Sequence, residues 1–173
     1  APARVAGLGV MNAGARMRVN PQMLEALPDG LAPIVELVAT SNFPAGSPHE
    51  WIDERRRSYE VVGGKTLLAD LGACDRFDVL DRVWEIRCRT QVLAGSEDTL
   101  TPPRYARLMA ERISAARYVE YPGAGHMLPI ERPAEVAGEL AVLWASTVDG
   151  PATAGRAVLP LAGSGASGSP PAG

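Results

Sequence analysis

Gly95-Ser96-Glu97-Asp98-Thr99-Leu100-Thr101-Pro102 follows the apolar run Thr90-Gln91-Val92-Leu93-Ala94. Pro122-Gly123-Ala124-Gly125-His126 follows the run Arg117-Tyr118-Val119-Glu120-Tyr121. Short apolar runs bounded by turn residues read as buried strands. Between them, Thr101 and Pro102 open a helix with Tyr105, Leu108, Met109 and Ile113 at helical spacing. Strand, helix, strand with short connections predicts a parallel sheet. In such a sheet the residues just past each strand gather at one edge, so a carboxylate and an imidazole placed there can meet as a base and its orienter.

Working outward, Pro133 starts a last helix that carries Val136, Leu140, Leu143 and Trp144 as its expected packing face. Upstream, Val5 to Met11 reads as a strand weakened by two glycines and bounded by Asn12-Ala13-Gly14. From Asn20 to Cys74 the pattern is helical only. Asn20-Pro21 opens a helix with Met23, Leu24 and Leu27, ending at Pro28-Asp29-Gly30. Leu31 to Thr40 is a second, with Ile34, Leu37 and Val38 on one side. Ser47-Pro48-His49-Glu50 reads as a capping box for a third, through Trp51 and Tyr59 to Gly63-Gly64. Lys65 to Ala73 forms a fourth. Residues 146–173 are mostly Gly, Ala, Ser and Pro, a composition expected to stay disordered.

At 173 residues the chain is long enough for one domain with a core. A net charge of −3 supplies no basic field for nucleic acid or anionic lipid. No apolar run approaches the length of a membrane span, about 18 residues. Cys74 and Cys88 are the only cysteines, a usage that suits a reducing cytoplasm, with a disulfide between them left open. Neither has metal-site spacing with the two histidines. The sequence begins Ala1-Pro2-Ala3-Arg4 and enters a strand almost at once, which reads as a piece of something longer.

A serine hydroxyl is a weak nucleophile at neutral pH. A neutral imidazole can take its proton during attack and return it to the leaving group, while a carboxylate fixes ring orientation and tautomer. Strand, Gly-x-x-Asp-x-x-Thr-Pro, helix, strand, Pro-Gly-Ala-Gly-His, then Glu-Arg-Pro and a last helix resembles the C-terminal half of an α/β hydrolase with a helical cap, serine esterase-like in kind. The resemblance covers about Val5 to Ala145. It implies a partial α/β-hydrolase domain over residues 1–145, about three parallel strands with flanking helices, and a cap inserted over about residues 20–75. The family's acid falls on Asp98 and its histidine on His126. It implies a small carboxylic ester, thioester or lactone as substrate and no metal or organic cofactor.

Glu97 competes locally with Asp98 for the role of acid, and Asp98 can also be read as a helix-entrance residue. His49, in the first turn of a cap helix, is either a solvated helix end or a residue lining the substrate's path. Phe43, Trp51 and Tyr59 line an apolar pocket or form the cap's own core. Arg16 and Arg18 face an anionic substrate group or solvent. Gly63-Gly64-Lys65-Thr66 lacks the earlier glycine of a phosphate-binding loop, with Tyr59 in its place.

The family places its serine in a Gly-x-Ser-x-Gly elbow ahead of the acid. The sequence contains no such elbow. Two readings follow. One is a hydrolase portion supplying acid and base, inactive alone. The other is a truncated or split chain without catalysis that associates with a complementary N-terminal half or another protein.

Overall fold

A computed structural model describes residues 4–25 and 31–148. Its sheet has three strands, β1 (Gly7–Met11), β2 (Arg89–Gly95) and β3 (Ala116–Tyr121), in the order β1-β2-β3. Both pairings are parallel, with Val10 opposite Val92 and Val92 opposite Tyr118. Parallel neighbours need a crossover rather than a tight turn. Helix α5 (Pro103–Arg112) makes the crossover from β2 to β3. Among the described residues, the crossover from β1 to β2 holds four α-helices, α1 (Pro21–Glu25), α2 (Leu31–Ser41), α3 (His49–Val62) and α4 (Gly64–Arg76). They are the inserted cap. The short α6 (Leu128–Glu131) and the long α7 (Pro133–Val148) follow β3.

β2 is central and buried over almost its whole length, which is why Val92, Leu93 and Ala94 are apolar in succession rather than alternating with polar residues. Its side chains still alternate between faces. Val92 and Ala94 pack with Ala106, Met109 and Ile113 on the α5 side. Leu93 packs with Val119, Leu128 and Val136 on the other. The cap has a separate core of Met23, Ile34, Val35, Val38 and Leu67.

Several local expectations change. The helix entered through Ser47 has Pro48 at its N-cap and no side-chain cap bond, so there is no capping box. Pro102, not Thr101, is the N-cap of α5, because the Thr101 hydroxyl is taken by more distant partners. On α7, Val136 is buried, but Trp144 is 73% exposed and Leu140 is exposed too. Leu140 and Leu143 still lie against the β1 glycines, where a Cβ on Gly9 would be 3.1 Å from Leu140 Cδ2, so the expected face is real and Trp144 is the part of it left uncovered among the described residues. Helix α7 also runs to Val148, past the boundary at 145. Ser146 and Thr147 fit the helix by donating their hydroxyls back to Leu143 O and Trp144 O. The expected helix end at Leu27 to Gly30 and the tail from residue 149 onward lie outside the described residues.

Candidate active site

Three chain segments leave the carboxyl edge of the sheet, and each contributes one polar side chain. Asn12 follows β1, Asp98 follows β2, and His126 follows β3. The path after β3 is decisive. Gly123, at φ 68°, turns the chain through the left-handed region that glycine adopts freely. The backbone then doubles back over β2. A Cβ on Gly95 would lie 2.2 Å from Gly125 O and 2.3 Å from Ala124 O, so only glycine lets the loop approach so closely. Gly125 in turn lies against Pro44 of the cap, where a Cβ would be 2.7 Å from its Cδ.

Three groups then hold the histidine loop through four hydrogen bonds. The Glu131 carboxylate accepts the N–H of Gly125 at 2.6 Å and of Met127 at 2.9 Å, one on each side of His126. The His126 N–H donates to Asn42 O at the end of α2, 3.0 Å away. The Gly125 carbonyl accepts from Asn12 Nδ2 at 2.6 Å. Asn42 is itself buried and donates its amide to Val38 O and to Tyr59 Oη. The cap thus takes part in placing the imidazole.

His126 Nδ1 lies 2.9 Å from Asp98 Oδ2. The Asp98 side chain is 0% exposed, whereas that of His126 is 25% exposed. A buried carboxylate persists only if its oxygens are hydrogen-bonded. Oδ1 accepts the backbone N–H groups of Leu100 (2.9 Å) and Thr101 (2.8 Å). Oδ2 accepts from Asn12 Nδ2 (3.0 Å) and Thr101 Oγ1 (2.7 Å) besides the imidazole. Burial alone pushes the Asp98 carboxyl up. The hydrogen bond and charge of His126, then the hydroxyl and N–H of Thr101, outweigh it and hold Asp98 below the ordinary carboxylate value. Asp98 is therefore ionised at neutral pH, and an ionised carboxylate only accepts. Nδ1 must carry the proton, which leaves Nε2 with its lone pair.

Glu97, the rival acid, is exposed, and its N–H donates to Ala124 O instead. His49 does not join the pair. It is exposed and lines a cavity of about 790 Å³ with Phe43, Pro44, Ser47, Ile52 and Thr99. Phe43 and Trp51 pack with ring centroids 5.6 Å apart. Phe43 serves both of its readings, since it also lines that cavity. Arg16 and Arg18 are tied to the end of α4 and the segment after it, Arg16 to the Asp78 carboxylate at 2.6 Å and Arg18 to Asp75 O at 2.6 Å. Cys74 and Cys88 are unpaired.

Asn12, Asn42, Thr101 and Glu131 carry the geometry and were not singled out from sequence. The one available signal was Glu131 in Glu-Arg-Pro, five residues after the histidine.

A strand-end carboxylate and a strand-end histidine joined through Nδ1, on a parallel sheet with a helical insertion, is the arrangement the sequence motifs predicted. The sequence matches the alpha/beta hydrolase family over residues 1–139.

The chain belongs to that family.

Among curated α/β-hydrolase relatives, the abhydrolase domain-containing protein ACTT2 of Alternaria alternata is 34% identical over 97 residues, 49% of this chain and 36% of ACTT2. The solved structure of a thermophilic esterase superposes with a TM-score of 0.75 at 32% identity, over 84% of this chain and 58% of the esterase. A thermophilic esterase from Thermogutta terrifontis superposes with a TM-score of 0.71 at 25% identity, over 84% and 58% of the two chains. The chain thus spans about a third of the curated relative and 58% of the solved esterases. Among the described residues no helix is long and apolar enough to cross a membrane.

Proposed function

We propose that this chain is the C-terminal part of an α/β hydrolase that cleaves a small carboxylic ester, thioester or lactone, with Asp98 and His126 as acid and base of a Ser-Asp-His triad. One observation carries the reading: a fully buried, ionised Asp98 bonded to Nδ1 of a partly exposed imidazole, with Nε2 free to act. Nε2 takes the proton of a serine hydroxyl as its oxygen adds to the substrate carbonyl. The imidazolium, stabilised by Asp98, then gives that proton to the departing alkoxide, thiolate or lactone oxygen. Water repeats the sequence on the acyl-serine and regenerates the hydroxyl.

The serine and the oxyanion donors belong to a segment with a Gly-x-Ser-x-Gly elbow, which these 173 residues do not contain. Such a segment would carry its serine on a parallel strand beside β1, which among the described residues pairs only with β2. The histidine loop supports this placement, because it doubles back from β3 to Asn12 at the end of β1. The two unpaired cysteines support a cytoplasmic setting.

Removing a triad serine costs about 10⁶-fold in a protease with an intact oxyanion hole. The chain alone is therefore expected to show no hydrolysis of p-nitrophenyl acetate that depends on His126. Mixing with a separately produced segment bearing the elbow, encoded upstream, is expected to restore hydrolysis that His126→Ala abolishes. His126-dependent turnover by the chain alone would refute the division of roles.

A second reading, association without catalysis, is favoured by one feature. Among the described residues, the outer edge of β1 and the exposed Val142 and Trp144 of α7 are unpartnered hydrogen-bonding and apolar surface. A complementary segment that binds but restores no turnover would support this reading over the first.

A further inference from the structure

We propose that Asn12 is a positioning residue for the Asp98–His126 pair, its single carboxamide holding both the carboxylate and the peptide that carries the imidazole. The proposal rests on the reading of that pair as acid and base.

Asn12 is the residue that β1 contributes to the carboxyl edge, and it is buried. Its backbone stands at φ 45°, in the left-handed region that asparagine tolerates better than most residues. Its N–H donates to Leu93 O at 2.9 Å, which anchors the residue to β2. Both amide protons are used, one on Asp98 Oδ2 at 3.0 Å and one on Gly125 O at 2.6 Å. Both of these partners are acceptors, so the NH2 group must face them, and the orientation of the amide follows. The Asn12 carbonyl oxygen Oδ1 is buried without a partner, so the fold bears its desolvation in order to present the NH2.

The second contact has leverage. Gly125 C=O and His126 N–H are the two ends of one peptide plane. Asn12 holds the carbonyl end, and Asn42 O accepts from the N–H end at 3.0 Å. A plane held at both ends cannot rotate, and the His126 Cβ follows it. Asn12 therefore sets the carboxylate and the imidazole against each other through one rigid group. Thr101 completes the cluster, with its hydroxyl 2.7 Å from both Asp98 Oδ2 and Asn12 O. Glu131 holds the flanking N–H groups independently, so the loop keeps its course when Asn12 is changed.

Two variants separate the side chain from the backbone. Asn12→Gly keeps the left-handed conformation and removes only the carboxamide. Asn12→Asp keeps the shape and replaces the two N–H donors by a single carboxyl O–H. The readout is the tautomer and titration of His126 by ¹⁵N NMR, with circular dichroism and thermal melting as the check on folding. Wild type is expected to show the Nδ1–H tautomer with a hydrogen-bonded, downfield proton. Asn12→Gly is expected to stay folded and raise the Nε2–H fraction about fivefold, the change that one lost hydrogen bond brings. Asn12→Asp must keep a proton beside the Asp98 carboxylate and can donate to only one of the two acceptors, so it is expected to raise the Nε2–H fraction as Asn12→Gly does. A folded Asn12→Gly with an unchanged tautomer overturns the proposal. If Asn12→Gly does not fold, an Asn12→Asp protein whose His126 tautomer is as in wild type overturns it. Absence of the Nδ1–H proton in wild type would instead refute the acid–base reading, and the proposal with it.

Discussion

Replacing Asp98 by asparagine changes one atom's hydrogen-bonding sense and almost nothing of its shape. The oxygen of the new carboxamide can still accept from the Leu100 and Thr101 N–H groups at the Oδ1 position. Its NH2 then takes the place of Oδ2, facing Asn12 Nδ2 and His126 Nδ1, both donors. Thr101 can turn its hydroxyl to Asn12 O, already 2.7 Å away, and accept from the new amide. His126 can move its proton to Nε2 and accept at Nδ1, but Asn12 keeps a buried N–H facing a donor. One unsatisfied buried donor plus the lost charge-assisted bonds amounts to about 2–4 kcal/mol. With a urea m-value of about 2 kcal/mol/M, the unfolding midpoint falls by about 1–2 M. The assay is urea unfolding of both chains by circular dichroism from pH 7 down to pH 3. A carboxylate held below its unfolded value, about 3.9, contributes stability that is fully present above that value and lost as pH falls through the folded one. The gap between wild type and Asp98→Asn should therefore close as pH falls below about 4. Equal midpoints at pH 7, or a gap undiminished at pH 3, would refute the reasoning. The same substitution leaves Nε2 protonated, so in an active assembly it should remove the base as well.

Gly95→Ala should be among the most damaging small substitutions. Its Cβ would stand 2.2 Å from a backbone oxygen that cannot swing aside, so we expect a loss of about 3 kcal/mol or more, read as a lowered urea midpoint, and a displaced His126 resonance. Tyr121 is buried with its hydroxyl unpartnered, and burial, then Glu139 and Glu135, raise it to about 12 against the opposing pull of Arg117. A raised tyrosine contributes stability that is present below its unfolded value of about 10 and lost as pH climbs toward the folded one. Tyr121→Phe should thus be neutral or slightly stabilising at pH 7 and should flatten the decline in urea midpoint between about pH 10 and 12. A marked loss at pH 7 would mean that the hydroxyl has a partner.

The scaffold was legible because its signals are local. Val92, Leu93 and Ala94 are apolar in succession because a central parallel strand is buried on both faces, and that composition is visible without coordinates. Helix α5 shows its period for the same reason, with Ala106 and Met109 turned to the sheet. Asp98 and His126 could be picked out because each sits in a turn of distinctive composition just past a strand. Trp144 shows where such reading stops. Its helical spacing marks an apolar stripe, but spacing cannot say whether a neighbour lies over it.

The sequence alone determined the parallel α/β layout, the helical insertion, the placement of Asp98 and His126 just past two strands and the lack of a serine elbow among these residues. Only the tertiary structure decided which groups hold that pair in register. Asn12 meets Asp98 across 86 residues and Gly125 across 113, while Thr101, which reads locally as a helix cap, turns its hydroxyl to Asp98 and Asn12. Periodicity records how a residue relates to its own helix or strand. A hydrogen-bond partner is chosen by proximity after the chain has doubled back, and at such separations no local pattern encodes it.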